Sequence, residues 1–353
     1  MNIASVATAQ APHYYEQEQL LEAFREVWSK EHFNPARVEQ LHRAVQVGGR
    51  YLALPMDAYA GLRSFTEAND AFIRVGLDMA ASALTKALDV AGRRPDQLDA
   101  IFFASVTGLA TPSIDARLVN RLGLRTDLKR TPIFGLGCVA GAAGIARMYD
   151  YLRAWPEHTA ALVCVELCSL TLQRQDLSIA NLIASGLFGD GAAAVVGTGA
   201  AVMAASGRPV PNVIATRSRF YPNTERVMGW DIGETGFKIV LDASVPALVE
   251  RYLAADVDGF LSEQGLGRRD IASWICHPGG PKVLDAIQSA LDLPEDALAL
   301  TWRSLREIGN LSSASVLHVL ADTIRERPQT SGAYGVLLAM GPGFCSELVL
   351  LRW

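Results

Sequence analysis

The chain has 353 residues, half of them hydrophobic and a fifth charged, with a net charge of −5. This composition supports a large buried core and excludes a disordered chain; with no basic block, it also argues against nucleic-acid binding through a cationic face. Apolar runs are broken by Gly, Asp or Arg well short of the ~20 residues a membrane helix needs, and five scattered cysteines point to reduced thiols in a cytoplasmic protein. Cys164 and Cys168 have no second pair to complete a metal site.

Met1 to Pro12 lacks a basic leader and reads as an opening strand. Residues 15–46 read as helix, with Leu20, Leu21, Phe24 and Trp28 at helical spacing, and a second helix runs from Phe72 to Ala91, stopped by Gly92. Pro95 to Gly108 is a turn leading into a buried strand. Thr131 to Gly137 reads as another strand, Val139 to Leu152 as a small-residue helix, and Ala160–Glu166 and Gly191–Val196 as further apolar strands. Near-continuous apolar strands alternating with helices indicate an α/β protein with buried sheets. Two echoes suggest duplication: Gly267–Gly279 repeats the pattern of Arg93–Gly108, and Gly332–Ala339 that of Gly189–Val196. The joint falls in the Gly-, Ala-, Pro- and Ser-rich stretch 197–223, dividing the chain into halves 1–205 and 206–353.

Cys138 stands in FGLGCVAGAAG, between a strand and a helix. Flanking glycines permit a tight turn, and a helix N-terminus lowers a thiol pKa, so the residue reads as a nucleophile; a buried structural cysteine is the competing reading. Among six histidines, His13, His32, His42 and His158 stand in polar contexts that predict solvent exposure, while His318 lies in an apolar helix as a core residue. His277 ends a strand before Pro-Gly-Gly-Pro, which holds it rigidly at a cleft. Asn310, in GNLSSAS, reads either as a helix cap or as an amide donor to developing negative charge.

In order and spacing, Cys138, His277 in ICHPGGPKVLDA and Asn310 resemble the Cys-His-Asn triad of thiolase-fold condensing enzymes. The loop Met340-Gly-Pro-Gly-Phe344 resembles the GFGPG loop of type III polyketide synthases, with Met340 where the family has Phe, and GLFGDGAA over 186–193 places Phe188 at that family's gatekeeper position. The resemblance implies a duplicated thiolase-like fold layered α-β-α-β-α. It also implies a homodimer that uses acyl-CoA and malonyl-CoA without a metal or further cofactor. Loading would occur on Cys138, and decarboxylation beside His277, Asn310 and Phe188.

By the same resemblance, Thr111 reaches across the dimer interface, and Cys168, Thr171, Ala184 and Ile239 line the cavity. Gly341 and Gly343 shape the closing loop, and Arg37, Arg43 and Arg50 meet the CoA phosphates. The segments 165–173 and 228–236 look like bacterial members that take long fatty acyl starters to alkylresorcinols or alkylpyrones. A ketoacyl synthase of fatty-acid synthesis, a cysteine hydrolase and a non-catalytic CoA-ester-binding protein are the alternatives.

Overall fold

The computed structural model describes residues 1–28, 34–202 and 210–353. The first half runs β1 (Asn2–Gln10), β2 (His13–Glu16), α1 (Gln17–Trp28), α2 (Pro35–Ala44), β3 (Gly49–Leu52), α3 (Phe65–Ala91), β4 (Ala100–Ala104), α4 (Ile114–Leu122), β5 (Lys129–Ile133), α5 (Ala140–Ala154), β6 (Thr159–Leu167), α6 (Ile179–Leu187) and β7 (Asp190–Thr198). The second runs β8 (Asn212–Phe220), β9 (Met228–Gly233), β10 (Gly236–Leu241), α7 (Val245–Ser262), β11 (Ile271–Cys276), α8 (Pro281–Leu291), α9 (Ala299–Ile308), α10 (Ser315–Glu326), β12 (Tyr334–Gly341) and β13 (Cys345–Arg352).

Nine strands hydrogen-bond in the order β11-β12-β13-β8-β1-β7-β6-β4-β5. Strand β4 is parallel to β6, which runs antiparallel to β7, itself antiparallel to β1. The same sequence of directions recurs in β11, β12, β13 and β8. The halves meet where Asn2 on β1 pairs with Asn212 on β8.

Three apolar clusters separate five layers. Helices α3 and α4 cover the outside of the first half-sheet with Phe72, Leu84, Leu88 and Leu118. Helices α7, α8 and α9 cover the second with Val249, Phe260, Leu284 and Leu305. Between the half-sheets lie α5 and α10, whose Ala142, Ile145, Met148, Leu317 and Leu320 contact strands of both halves. The small residues of α5 allow this closeness: a Cβ on Gly141 would sit 2.3 Å from the Ser313 carbonyl, and one on Gly144 2.4 Å from Leu162. The layering is the α-β-α-β-α arrangement expected.

Several local expectations change. The helix over 15–46 is interrupted: His13–Glu16 pairs with β3, and Asn34, with Pro35 behind it, caps a separate α2. Residues 29–33, with His32, and the side chain of Trp28 lie outside the described residues. The first echo aligns equivalent strands, β4 and β11, but the second does not. Residues 332–339 lead into β12, whose counterpart by direction is β6, while β7 corresponds to β13. Two buried neighbouring strands carry the same small-apolar pattern, so sequence alone slipped by one strand. The division at 205/206 lies outside the described residues. Among the described residues no helix is long and apolar enough to cross a membrane.

Candidate active site

Cys138 sits at the entry to α5, in a single 3₁₀ turn, Gly137–Val139. Gly135 and Gly137 have φ of 92° and 55°, left-handed values that side chains resist. The closing loop packs onto this turn from the opposite half. A Cβ on Gly137 would lie 2.8 Å from the Pro342 ring, and one on Gly341 2.7 Å from Val139 N. Glycines at 137 and 341 therefore let two backbones touch where the nucleophile is held. Gly343, with φ of 140°, leads to Phe344, whose N–H donates to Thr224 Oγ1 at 2.7 Å.

Cys138, His277 and Asn310 face one cavity of about 470 Å3, together with Phe188, Ser312, Met340 and Pro342. His277 follows β11, and its N–H donates to the Leu338 carbonyl of β12. The ring is buried, and among the described residues neither nitrogen has a hydrogen-bond partner. Burial pushes its pKa down to about 3, leaving a neutral imidazole. Burial likewise pushes the Cys138 thiol up to about 12, against the opposing effect of hydrogen bonding with Ser312 and Asn310. Burial thus works against the thiolate that a helix N-terminus favours. Sγ lies 3.7 Å from Ser312 Oγ. Asn310 Oδ1 accepts from Ser312 N at 2.8 Å, which fixes the amide plane; Nδ2 has a long contact of 3.5 Å to the Gly279 carbonyl.

Phe188 and Asn310 are joined through their backbones. Asn310 N donates to the Leu187 carbonyl and Gly189 N to the Asn310 carbonyl, both at 2.9 Å. Behind them Glu166, at the end of β6, is fully buried and accepts from Val106 N, Thr107 Oγ1 and Ser313 Oγ. Desolvation raises its carboxyl to about 7. Sequence reading passed over this residue, whose sole signal was a lone acid in an apolar run.

A second cavity of about 680 Å3 lies on the far side of Phe188. It shares Cys168, Phe188, Trp230 and Ile239 with the first, and it collects Thr171 and Ala184. Four predicted lining residues, Cys168, Thr171, Ala184 and Ile239, thus come together. Its walls also carry Arg50, Tyr59, Ser169, Asn181 and Ser185. Thr111 is exposed on the loop before α4 and lines neither cavity.

The three arginines separate. Arg37 is exposed on α2, one turn from Leu41, which lines the first cavity. Arg43 pairs with Glu18 and Glu39. Arg50 is not at the surface: it is 3% exposed, and its Nη1 donates to two carbonyls, a geometry for holding backbone rather than meeting a phosphate. Exposed Lys282, on the rim of the first cavity, was missed. Of the surface histidines, His13 and His158 are half-buried, but His42 is 1% exposed and bonded to Ser185 Oγ, because α2 packs its polar-looking face onto α6. His318 is a core residue, its Nε2 3.1 Å from the Ala192 carbonyl.

The chain is 52% identical over 352 residues to a 1,3,6,8-tetrahydroxynaphthalene synthase of Streptomyces peucetius, covering 100% of this chain and 93% of that protein. It is 31% identical to a phloroglucinol synthase of Pseudomonas fluorescens, covering 97% and 96%. The crystal structure of 1,3,6,8-tetrahydroxynaphthalene synthase from Streptomyces coelicolor A3(2), a bacterial type III polyketide synthase, superposes with a TM-score of 0.93 at 31% identity, over 100% of this chain and 99% of that one. Residues 2–201 match the N-terminal domain of chalcone and stilbene synthases and residues 212–353 their C-terminal domain. The chain therefore belongs to the chalcone and stilbene synthases, the type III polyketide synthases, and is a condensing enzyme rather than a hydrolase or an inert binding protein.

Proposed function

We propose that this enzyme builds its product from malonyl-CoA alone, as starter and extender, and closes it to 1,3,6,8-tetrahydroxynaphthalene. That product has ten ring carbons with oxygens on alternating positions, which five malonyl-derived two-carbon units supply. Identity of 52% along the whole chain to a protein of that name supports the reading. The second cavity supports it as well, because it gives a growing chain room beyond Phe188 in a wall that mixes apolar side chains with the hydroxyls of Tyr59, Ser169 and Ser185.

One observation carries the chemistry: His277 is a buried imidazole with both nitrogens unpartnered, facing the cavity that holds Cys138 and Asn310. An unsatisfied buried polar group is costly unless a ligand completes it. In the scheme, neutral His277 takes the Cys138 proton as sulfur attacks the thioester carbon, and CoA leaves as its thiol. An extender malonyl-CoA then loses CO2. The enolate oxygen that forms accepts hydrogen bonds from His277 and from Asn310 Nδ2. Phe188 presents an apolar face to the departing carboxylate, where desolvation disfavours the charge. The enolate carbon attacks the acyl group on Cys138, releasing the Cys138 thiolate, and the lengthened chain returns from CoA to Cys138 for the next round. No further cofactor enters the scheme. A homodimer, with Thr111 at its interface, Arg37 and Lys282 near the CoA phosphates, and a cytoplasmic setting suited to five free thiols belong to the same reading.

A long fatty acyl starter leading to alkylresorcinol or alkylpyrone is the second reading, favoured by the apolar side chains of Leu41, Ile179, Ile183 and Ile287 in the first cavity. The two separate in one experiment: incubation with malonyl-CoA alone and with a panel of acyl-CoA starters, with products read by mass spectrometry. Naphthalenetetrol from malonyl-CoA alone, absent with Cys138→Ala, is expected. No product without an added long-chain starter would overturn the proposal.

A further inference from the structure

Arg50, expected at the surface, lies behind the wall of the active site. It stands on β3, and its Nη1 reaches the Ser185 carbonyl at 2.6 Å and the Phe188 carbonyl at 2.8 Å. Ser185 is in the last turn of α6 and Phe188 is its C-cap, so the guanidinium satisfies carbonyls that the helix leaves without intrahelical partners. The residues flanking Phe188 are those paired to Asn310. Two glycines make room for the Arg50 stem against this pairing. A Cβ on Gly309 would lie 2.7 Å from the Leu187 carbonyl and 3.1 Å from Arg50 Cγ; one on Gly189 would lie 2.7 Å from the Ile308 carbonyl and 3.4 Å from Arg50 Cβ. Arg50 does not line the cavity that holds Cys138.

From this geometry we infer that Arg50 is a positioning residue that sets Phe188 against Asn310, and so governs decarboxylation of malonyl-CoA rather than loading of Cys138. Burying a cation costs several kcal/mol in desolvation, so a residue needed only to fill this space would be apolar. What the charge provides, near the buried Asp190 carboxylate that favours it, is a grip on two backbone carbonyls at the point where the decarboxylation wall is assembled. Cys138 and His277 are held by other contacts, those of the closing loop and of β12. The inference rests on the roles proposed above for Phe188 and Asn310.

The test uses the full-length enzyme with Arg50→Gln, Arg50→Met and Arg50→Lys. Acylation of Cys138 by a short acyl-CoA is followed by intact-protein mass, decarboxylation by CO2 release from malonyl-CoA, and folding by thermal melting. Misplacement of reacting groups on the order of 1 Å costs about 100-fold. Decarboxylation should therefore fall roughly 10- to 100-fold in the Gln and Met variants, in kcat more than KM. Acylation should stay within about twofold, and Lys should recover part of the loss. Parallel loss of both steps, or a Met variant with wild-type decarboxylation, would overturn the inference. Should the Gln and Met variants fail to fold, Arg50→Lys decides: loss of acylation in step with decarboxylation there refutes the inference. Asn310→Ala is run alongside: if it decarboxylates normally, the reading of the site fails, whereas its loss with intact Arg50 variants sinks only the role of Arg50.

Discussion

Substituting Gly341 by Ala tests whether the closing loop holds the nucleophile in place. Gly341 ends β12 with ordinary backbone angles, so an alanine there is opposed by space alone. The added Cβ would sit 2.7 Å from Val139 N, 3.0 Å from the Leu136 carbonyl and 3.0 Å from Val139 Cβ. Restoring ordinary contact at 3.4 Å requires the two backbones to part by up to 0.7 Å. No rotamer change can absorb this, because the atoms met are mainly backbone, and the turn they form carries Cys138. If about 1 Å of misplacement costs ~100-fold, acylation should slow roughly 10- to 30-fold. Overpacking should also lower stability by about 1–3 kcal/mol. Rapid quenching with intact-protein mass measures acylation, and thermal melting measures stability. Gly61→Ala serves as the control, since nothing lies within 4 Å of its Cβ. Wild-type acylation and melting in Gly341→Ala, or equal damage in the control, would refute the reasoning.

Three further outcomes follow from the site. With its thiol pushed up to about 12, Cys138 should be alkylated by a neutral reagent at a rate that climbs steadily from pH 7 to 10; a plateau near neutrality would show a resting thiolate instead. Glu166, raised from 4.5 to about 7, stabilises the fold in its protonated form, fully below the ordinary value and less as pH rises through 7. Glu166→Gln should therefore lose about 2 °C less in melting temperature than wild type between pH 6 and 8.5, and parallel curves would contradict this. Ile239→Trp fills the wall common to both cavities and should cut full-length product more than about 10-fold while malonyl-CoA decarboxylation stays within about twofold; an unchanged product profile would show that the chain does not cross that wall.

What the sequence determined was local chemistry. Gly135, Gly137 and Cys138 announced a strained strand-to-helix turn, because left-handed backbone is a property of neighbouring residues. His277 before Pro-Gly-Gly and Asn310 before Leu-Ser-Ser were legible for the same reason, and their order along the chain pointed to one family. Burial, which remote chain imposes, was not legible. His42 and Arg50 read as surface residues, yet α6, 130 or more positions away, covers both. The thiol of Cys138 looked activated by its helix, and only the packed site reveals the burial that works against this. Strands β7 and β12 were matched because buried strands share one apolar alphabet, whereas direction within the sheet distinguishes them. Residue types and their order named the reactive groups; tertiary structure decided which of them meet, which lose water and which stand behind the others, because those outcomes depend on atoms distant in sequence.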